Sequence, residues 1–157
     1  MRGPCKGVAN CVSQTAPTAL YVHCNSHVLN LCLVDVSEVV VPVRNNFGIV
    51  KSLYNFIEGS PKRHKIFDDL QKEAGITSLT LKQLCDTRCS CRYESLKAVS
   101  SRYSEILSTL TLIETGHSFI LLPVIKTFDF IFHIYMINEV FLITNILSKF
   151  LQRVKFV

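Results

Sequence analysis

Tryptophan is absent from these 157 residues, and glycine and proline are scarce, at six and five. The first absence removes any indole that could stack on an unpaired base. The second, together with 48% hydrophobic residues, excludes a disordered chain, which has too little apolar surface to offset the entropy of ordering. Charge is thin as well: 18% of residues are charged and the net charge is +5. That permits contact with an acidic polymer without requiring it. No internal repeat or low-complexity tract is present. The length is that of about one domain, enough to bury roughly 70% of the unfolded surface.

Other features are missing too. Met1-Arg2-Gly3-Pro4 leads into a polar stretch and not into the apolar core of a secretory signal. Seven cysteines is an odd number, so a reducing, intracellular setting with free thiols is expected in place of a disulfide framework. The most apolar stretch, Phe119 to Thr144, is interrupted by Lys126, Asp129, His133 and Glu139. It falls short of the roughly 20 uncharged residues that suit a bilayer, so no membrane is expected. It reads as a long helix in need of a partner surface, kinked near Pro123.

What charge there is concentrates in the middle. Residues 44–105 hold eleven Lys/Arg against seven Asp/Glu, a balance that suits a solvated helical face. The expected fold is mainly α with one short strand. Val8, Cys11 and Val12 make a small helical stripe that Pro17 ends. Ala19 to Cys24 is short, aromatic and β-branched, and predicts the strand. Asn25 or Ser26 can cap a following helix whose inner face is Leu29, Cys32, Leu33 and Val36. Val43, Phe47, Val50, Tyr54 and Ile57 share the next helical face, stopped at Gly59. Ser60-Pro61 opens another helix, with Ile66, Phe67 and Leu70 inward and Gly75 at its end. Ile76 to Leu84 is irregular or briefly extended. Asp86 or Thr87 then caps a helix carrying Tyr93, Leu96, Tyr103, Leu107 and Leu110. A loop at Gly116 precedes the last helix.

Few residues offer chemistry. Cys24-Asn25-Ser26-His27 is a C-x-x-H, which with Cys5 and Cys11 invites zinc, but a structural zinc site brings two tight pairs and the Cys5–Cys11 gap is not one. Cys85, Cys89 and Cys91 have no histidine nearby. Cys24 and His27 at a helix start also suit a thiol nucleophile, though no third group is placed to orient them. Asp68-Asp69 reads as a solvated helix face. No metal, cofactor or small-molecule substrate is expected.

The run from Ala19 to Asp35, A-L-Y-V-H-C-N-S-H-V-L-N-L-C-L-V-D, resembles the C-x-x-H signature of hAT-type transposases. It is closer still to their zinc-finger MYM-type and DUF4371-containing relatives. A second block, Cys85-Asp86-Thr87-Arg88-Cys89-Ser90-Cys91-Arg92-Tyr93-Glu94-Ser95, resembles the family's T-R-W-x-x-R-x-x-S, with Cys89 in place of the tryptophan. A third, Leu147-Ser148-Lys149-Phe150-Leu151-Gln152, is similar to a V-S-K-L-L-Q-like helix end. The three blocks occur in the family's order and span nearly the whole chain.

The resemblance implies a fragment of an RNase H-like α/β core, residues 1–58, joined to part of a helical insertion domain, residues 59–157. In the family three carboxylates hold divalent metals for DNA strand cleavage and transfer. Met1 aligns with the methionine that follows the second carboxylate, so all three ligands fall outside residues 1–157 and no catalysis is expected. Cys24 and His27 then keep a packing role, and substitution of Cys24 is expected to cost stability. Arg88 and Arg92 are candidate nucleic-acid contacts, or else partners of Asp86 and Glu94. A nuclear or cytoplasmic fragment with at most weak DNA binding is the implied function. A helical module that binds a protein or itself through residues 118–157 is the alternative.

Overall fold

The computed structural model describes residues 7–20, 24–85 and 89–153. It is mainly helical, with α1 (Val8–Thr15), α2 (Asn25–Val39), α3 (Val41–Glu58), α4 (Pro61–Glu73), α5 (Cys89–Ser101), α6 (Tyr103–Ile113), α7 (Gly116–Ile125) and α8 (Phe128–Arg153). No strand occurs among the described residues. Of the strand expected over Ala19–Cys24, residues 21–23 lie outside the described residues. Ala19, Leu20 and Cys24 are not in a strand, and Leu20 is 92% exposed.

Local signals in the middle of the chain act as read. Phe47, Val50 and Ile57 of α3 are buried, with Val43 and Tyr54 partly so. Ser60 stands at the N-cap position of α4, its carbonyl accepting the His64 N–H at 2.9 Å, and Pro61 opens the helix. At the other end of α4, the Gly75 N–H donates to the Lys72 carbonyl and the Ile76 N–H to the Gln71 carbonyl, at 3.0 and 3.1 Å. This is the Schellman arrangement, and it places Gly75 at φ +68°, where a Cβ is strained.

Residues 76–85 adopt no regular structure. Their backbone is held by side chains instead. The buried Gln71 amide accepts from the Leu79 N–H at 2.8 Å and donates to the Leu79 carbonyl at 3.1 Å. Glu58 accepts from the Leu81 N–H at 2.9 Å, and Ser95 donates to the Lys82 carbonyl at 2.9 Å. Leu81 is thereby set into the core.

The structure breaks two helices that the sequence reading joins. The stripe from Tyr93 to Leu110 is split at Arg102, which leaves helical geometry. Its guanidinium bonds the Thr77 carbonyl at 2.9 Å and Gln71 Oε1 at 3.1 Å, tying the break to the irregular segment. The kink expected near Pro123 is instead a full break at residues 126–127. Thr127 opens the new helix, accepting the Phe130 N–H at 3.3 Å as an N-cap does. Gly116 is the first residue of α7, whose capping box pairs Thr115 with Ser118.

One contiguous core runs from Phe47 through Phe67, Leu96 and Ile106 to Phe141. It draws on residues either side of the expected 58/59 boundary. Within it α8 lies against α5, α2 and α3, while α4 packs on α6.

The α2 helix forms, but on a different face. Ser26, Asn30 and Ser37 are buried, whereas Cys32 and Val36 are exposed and Leu29 and Leu33 only partly covered. The reason is its partner. The end of α8 presents Asn145 and Ser148, both buried, so α2 docks through polar groups. Ser26 and Ser148 hydroxyls meet at 2.6 Å, and Gln152 donates to Ser26 Oγ at 3.1 Å. The cap of α2 is Cys24 and not Asn25 or Ser26.

Candidate interaction surface

The residues singled out from the sequence do not converge. Cys24 stands exposed with a free thiol at the start of α2, and its carbonyl accepts the His27 and Val28 N–H groups at 2.9 and 3.0 Å. His27 is exposed one turn on. The packing role expected of Cys24 belongs to its neighbour Ser26. Serine is a good N-cap residue, so Cys24→Ser is now expected to leave stability within about 0.5 kcal/mol, in either direction. A chemical denaturation midpoint checks this; a loss above 2 kcal/mol would restore the packing role.

Arg88 lies outside the described residues. Arg92 is 2% exposed, its guanidinium 5.1 Å from the centre of the Phe47 ring, which is itself edge-on to Phe141 at 5.7 Å. It therefore points into the α3–α5–α8 core and not toward a phosphate backbone. Cys85 and Cys91, either side of residues 86–88, are paired as a disulfide with their Cα atoms 5.9 Å apart, where free thiols were expected. Cys11 and Cys32 are free and exposed. Among the described residues no three His, Cys, Asp or Glu side chains gather as a metal site; Cys5 lies outside them.

The Asp68-Asp69 pair is surface chemistry. Asp68 bonds Lys72 at 2.5 Å and also Ser78, and these bonds hold its carboxyl below the usual aspartate range. Burial raises Tyr103, whose hydroxyl donates to the Ile125 carbonyl at 2.8 Å and so closes the end of α7 onto α6.

Two surface features remain. One is an open groove of about 540 Å³ between the end of α3 and the start of α7. Arg63 lies 4.6 Å over the Phe56 ring in it, and His117 stacks on that ring at 6.4 Å. The Arg63 Nε already donates to the Phe56 carbonyl at 2.5 Å. The groove is thus a packed corner with one shared aromatic.

The other feature is far larger. Helix α8 buries Phe130, Ile134, Ile137, Phe141, Asn145 and Ser148. Those positions fall at i, i+4, i+7, i+11, i+15 and i+18, one face of a 3.6-residue helix. Diametrically opposite run Phe128, Phe132, Tyr135, Ile143, Ile146 and Phe150, each at least half exposed. Met136, Val140 and Leu147 flank them. Exposed Phe119 and Ile120 of α7 add to the apolar surface of the molecule.

A helix with two apolar faces covers one and leaves the other bare. The long helix in need of a partner surface thus finds cover along one face inside the chain and leaves the other exposed. The membrane expectation changes as well. Because α8 starts beyond Lys126, it is long and apolar enough to cross a bilayer by length and composition, with a mean hydropathy of 1.6 over its best 18-residue window, 28% of which is buried.

Sequence reading pointed to residues 118–157 as a surface and to Phe119, Phe128, Phe132, Tyr135, Val140 and Ile143 within it, all of which are exposed, but it did not separate them from the stripe that faces the core. The signal was present as two interleaved heptad-like stripes, one ending in Asn145 and Ser148. No protein-family model and no solved structure matches this chain.

Proposed function

We propose that this chain is a non-catalytic helical interaction module that works through the outward face of α8. The observation that carries this reading is the stripe Phe128–Phe150, whose six large side chains are at least half exposed while the opposite stripe is core. Exposed apolar patches beyond a few hundred Å² mark interaction sites in soluble proteins. A protein partner suits it better than a bilayer. Glu139 sits at the middle of the exposed stripe, where spanning would put a carboxylate at the membrane centre, at about 2.5–3.5 kcal/mol on insertion scales.

The test is a surface change that spares the core. Phe132→Glu combined with Ile143→Glu is expected to keep helicity and melting temperature while abolishing association, read by light scattering at micromolar concentration. Association unchanged in the double variant would overturn the reading.

A transposase-like descent accompanies this function. In that view residues 1–58 derive from an RNase H-like α/β core and residues 59–157 from its helical insertion, in a nuclear or cytoplasmic protein. Its support is a contact between two of the resembling blocks: Ser26 of Cys24-Asn25-Ser26-His27 bonds Ser148 and Gln152 of the Leu147–Gln152 block, 122 and 126 residues away. DNA contact, if retained, rests on the basic residues of 44–105 and is weak. Purified protein is expected to leave supercoiled plasmid intact in Mg²⁺ or Mn²⁺. Metal-dependent nicking lost on replacing an Asp or Glu of this chain would refute the non-catalytic reading.

A further inference from the structure

We infer that the occupant of the α8 face is a second copy of the chain, lying antiparallel with Glu139 at the two-fold axis. This rests on reading that face as an interaction surface, and it adds the partner and the register.

The stripe is symmetric about Glu139 in both spacing and bulk. Tyr135 and Ile143 lie four residues either side, Phe132 and Ile146 seven, and Phe128 and Phe150 eleven. Steps of four, seven and eleven all return to one helical face. A two-fold axis through Glu139 therefore sets Phe128 against the partner's Phe150, Phe132 against the partner's Ile146 and Tyr135 against the partner's Ile143. At each level one large side chain comes from each copy, which is the self-complementarity an isologous interface requires. No other antiparallel register overlaps the whole stripe.

The area is adequate. Large side chains carry roughly 200 Å² each, so nine of them about half exposed offer on the order of 900 Å², against about 800 Å² per partner in a standard interface. The stripe spans roughly 33 Å at about 1.5 Å per residue, long enough for a helix pair of that size.

Glu139 is the one charged residue on the stripe, and this register brings it opposite the partner's Glu139. Two like charges at the axis weaken the dimer without displacing it, because any slip that separates them also uncovers phenylalanines at both ends. The register thus makes a charge-specific forecast. Glu139→Gln removes the repulsion and is expected to tighten self-association roughly tenfold, the equivalent of one close surface charge pair. Glu139→Lys alone keeps like charges opposed and gains nothing. Mixed with the parent chain, however, Glu139→Lys brings opposite charges together.

The experiment uses the full chain throughout. An affinity-tagged Glu139→Lys chain is expected to capture untagged parent roughly tenfold better than tagged parent does. Light scattering is expected to give twice the 17.8 kDa chain mass for the parent and for Glu139→Gln. Equal capture by the two tagged chains overturns the register, and a monomeric Glu139→Gln overturns the second copy as occupant. Flotation of the parent with neutral phosphatidylcholine vesicles, in place of dimer formation, also overturns it. The double variant Phe132→Glu/Ile143→Glu separates the two levels. If it abolishes association while charge pairing at 139 fails, the interaction face stands and only the antiparallel copy is lost. If association survives it, both readings fall.

Discussion

Deleting residues 118–157 is expected to unfold the chain and not to solubilise it. The apolar character of that segment suggests a detachable sticky helix, but the structure gives one face of it to the core. Leu121, Ile125, Phe130, Ile134, Ile137 and Phe141 are all 7% exposed or less. Each large-to-small change at such sites costs about 2–5 kcal/mol, while a whole domain has only about 5–15 kcal/mol of net stability. Removing all six at once exceeds that margin. The α5 face that carries Leu96 and Val99, the α2 seam at Ser26 and Asn30, and Phe47 of α3 would all lose their cover. Circular dichroism of residues 1–117 is expected to show no cooperative melt. The single change Phe130→Ala, at about 3–5 kcal/mol, is the graded form of the same test. A soluble 1–117 fragment with a sharp transition would show that α7 and α8 lie outside the cooperative unit.

The second large effect is expected at Gln71. Its side chain is 1% exposed and does the work of a missing strand, pairing with both backbone groups of Leu79 while accepting from Arg102. Gln71→Met keeps the length but leaves the Leu79 N–H and carbonyl without those partners, at about 1–3 kcal/mol each. A loss of about 2–5 kcal/mol in denaturant titration is expected, with residues 76–85 released first in hydrogen exchange. Gln71→Glu retains an acceptor for the Leu79 N–H and for Arg102 but loses the donor to the Leu79 carbonyl. It is therefore expected to fall between the two. Equal stability of Gln71→Met and the parent would mean that water replaces the amide without cost, and that residues 76–85 are held by Leu81 burial alone.

These expectations depend on a distinction between what periodicity reveals and what packing decides. Helix type was legible wherever an apolar stripe coincided with end signals. In α3 the stripe Phe47, Val50, Ile57 is the buried one, and in α4 the Ser60-Pro61 start and the Gly75 stop both operate. Those are local effects: a proline in the first turn already has helical φ and no N–H to satisfy, and a glycine at φ +68° needs no distant partner.

The candidate site was legible only as a segment. Cys24, His27 and Arg92 were drawn from a motif resemblance, and the structure leaves the first two on the surface and turns the third inward. No local pattern distinguishes an arginine that meets phosphate from one that lies on a phenylalanine ring, because both use the same guanidinium and only the neighbouring helices choose between them.

The pattern of residues alone was enough for a mainly helical chain, for helix ends at Ser60-Pro61 and Gly75, and for an unusually apolar last third. The tertiary structure alone decided which faces are inside. On α2 the apolar side lost to Ser26, Asn30 and Ser37, because the surface it meets offers Asn145, Ser148 and Gln152. On α8 two apolar stripes of nearly equal quality competed for one core, and only one could be covered. Burial is a property of a pair of surfaces: a helix carries its own period in its sequence, but the face it hides is fixed by what stands opposite.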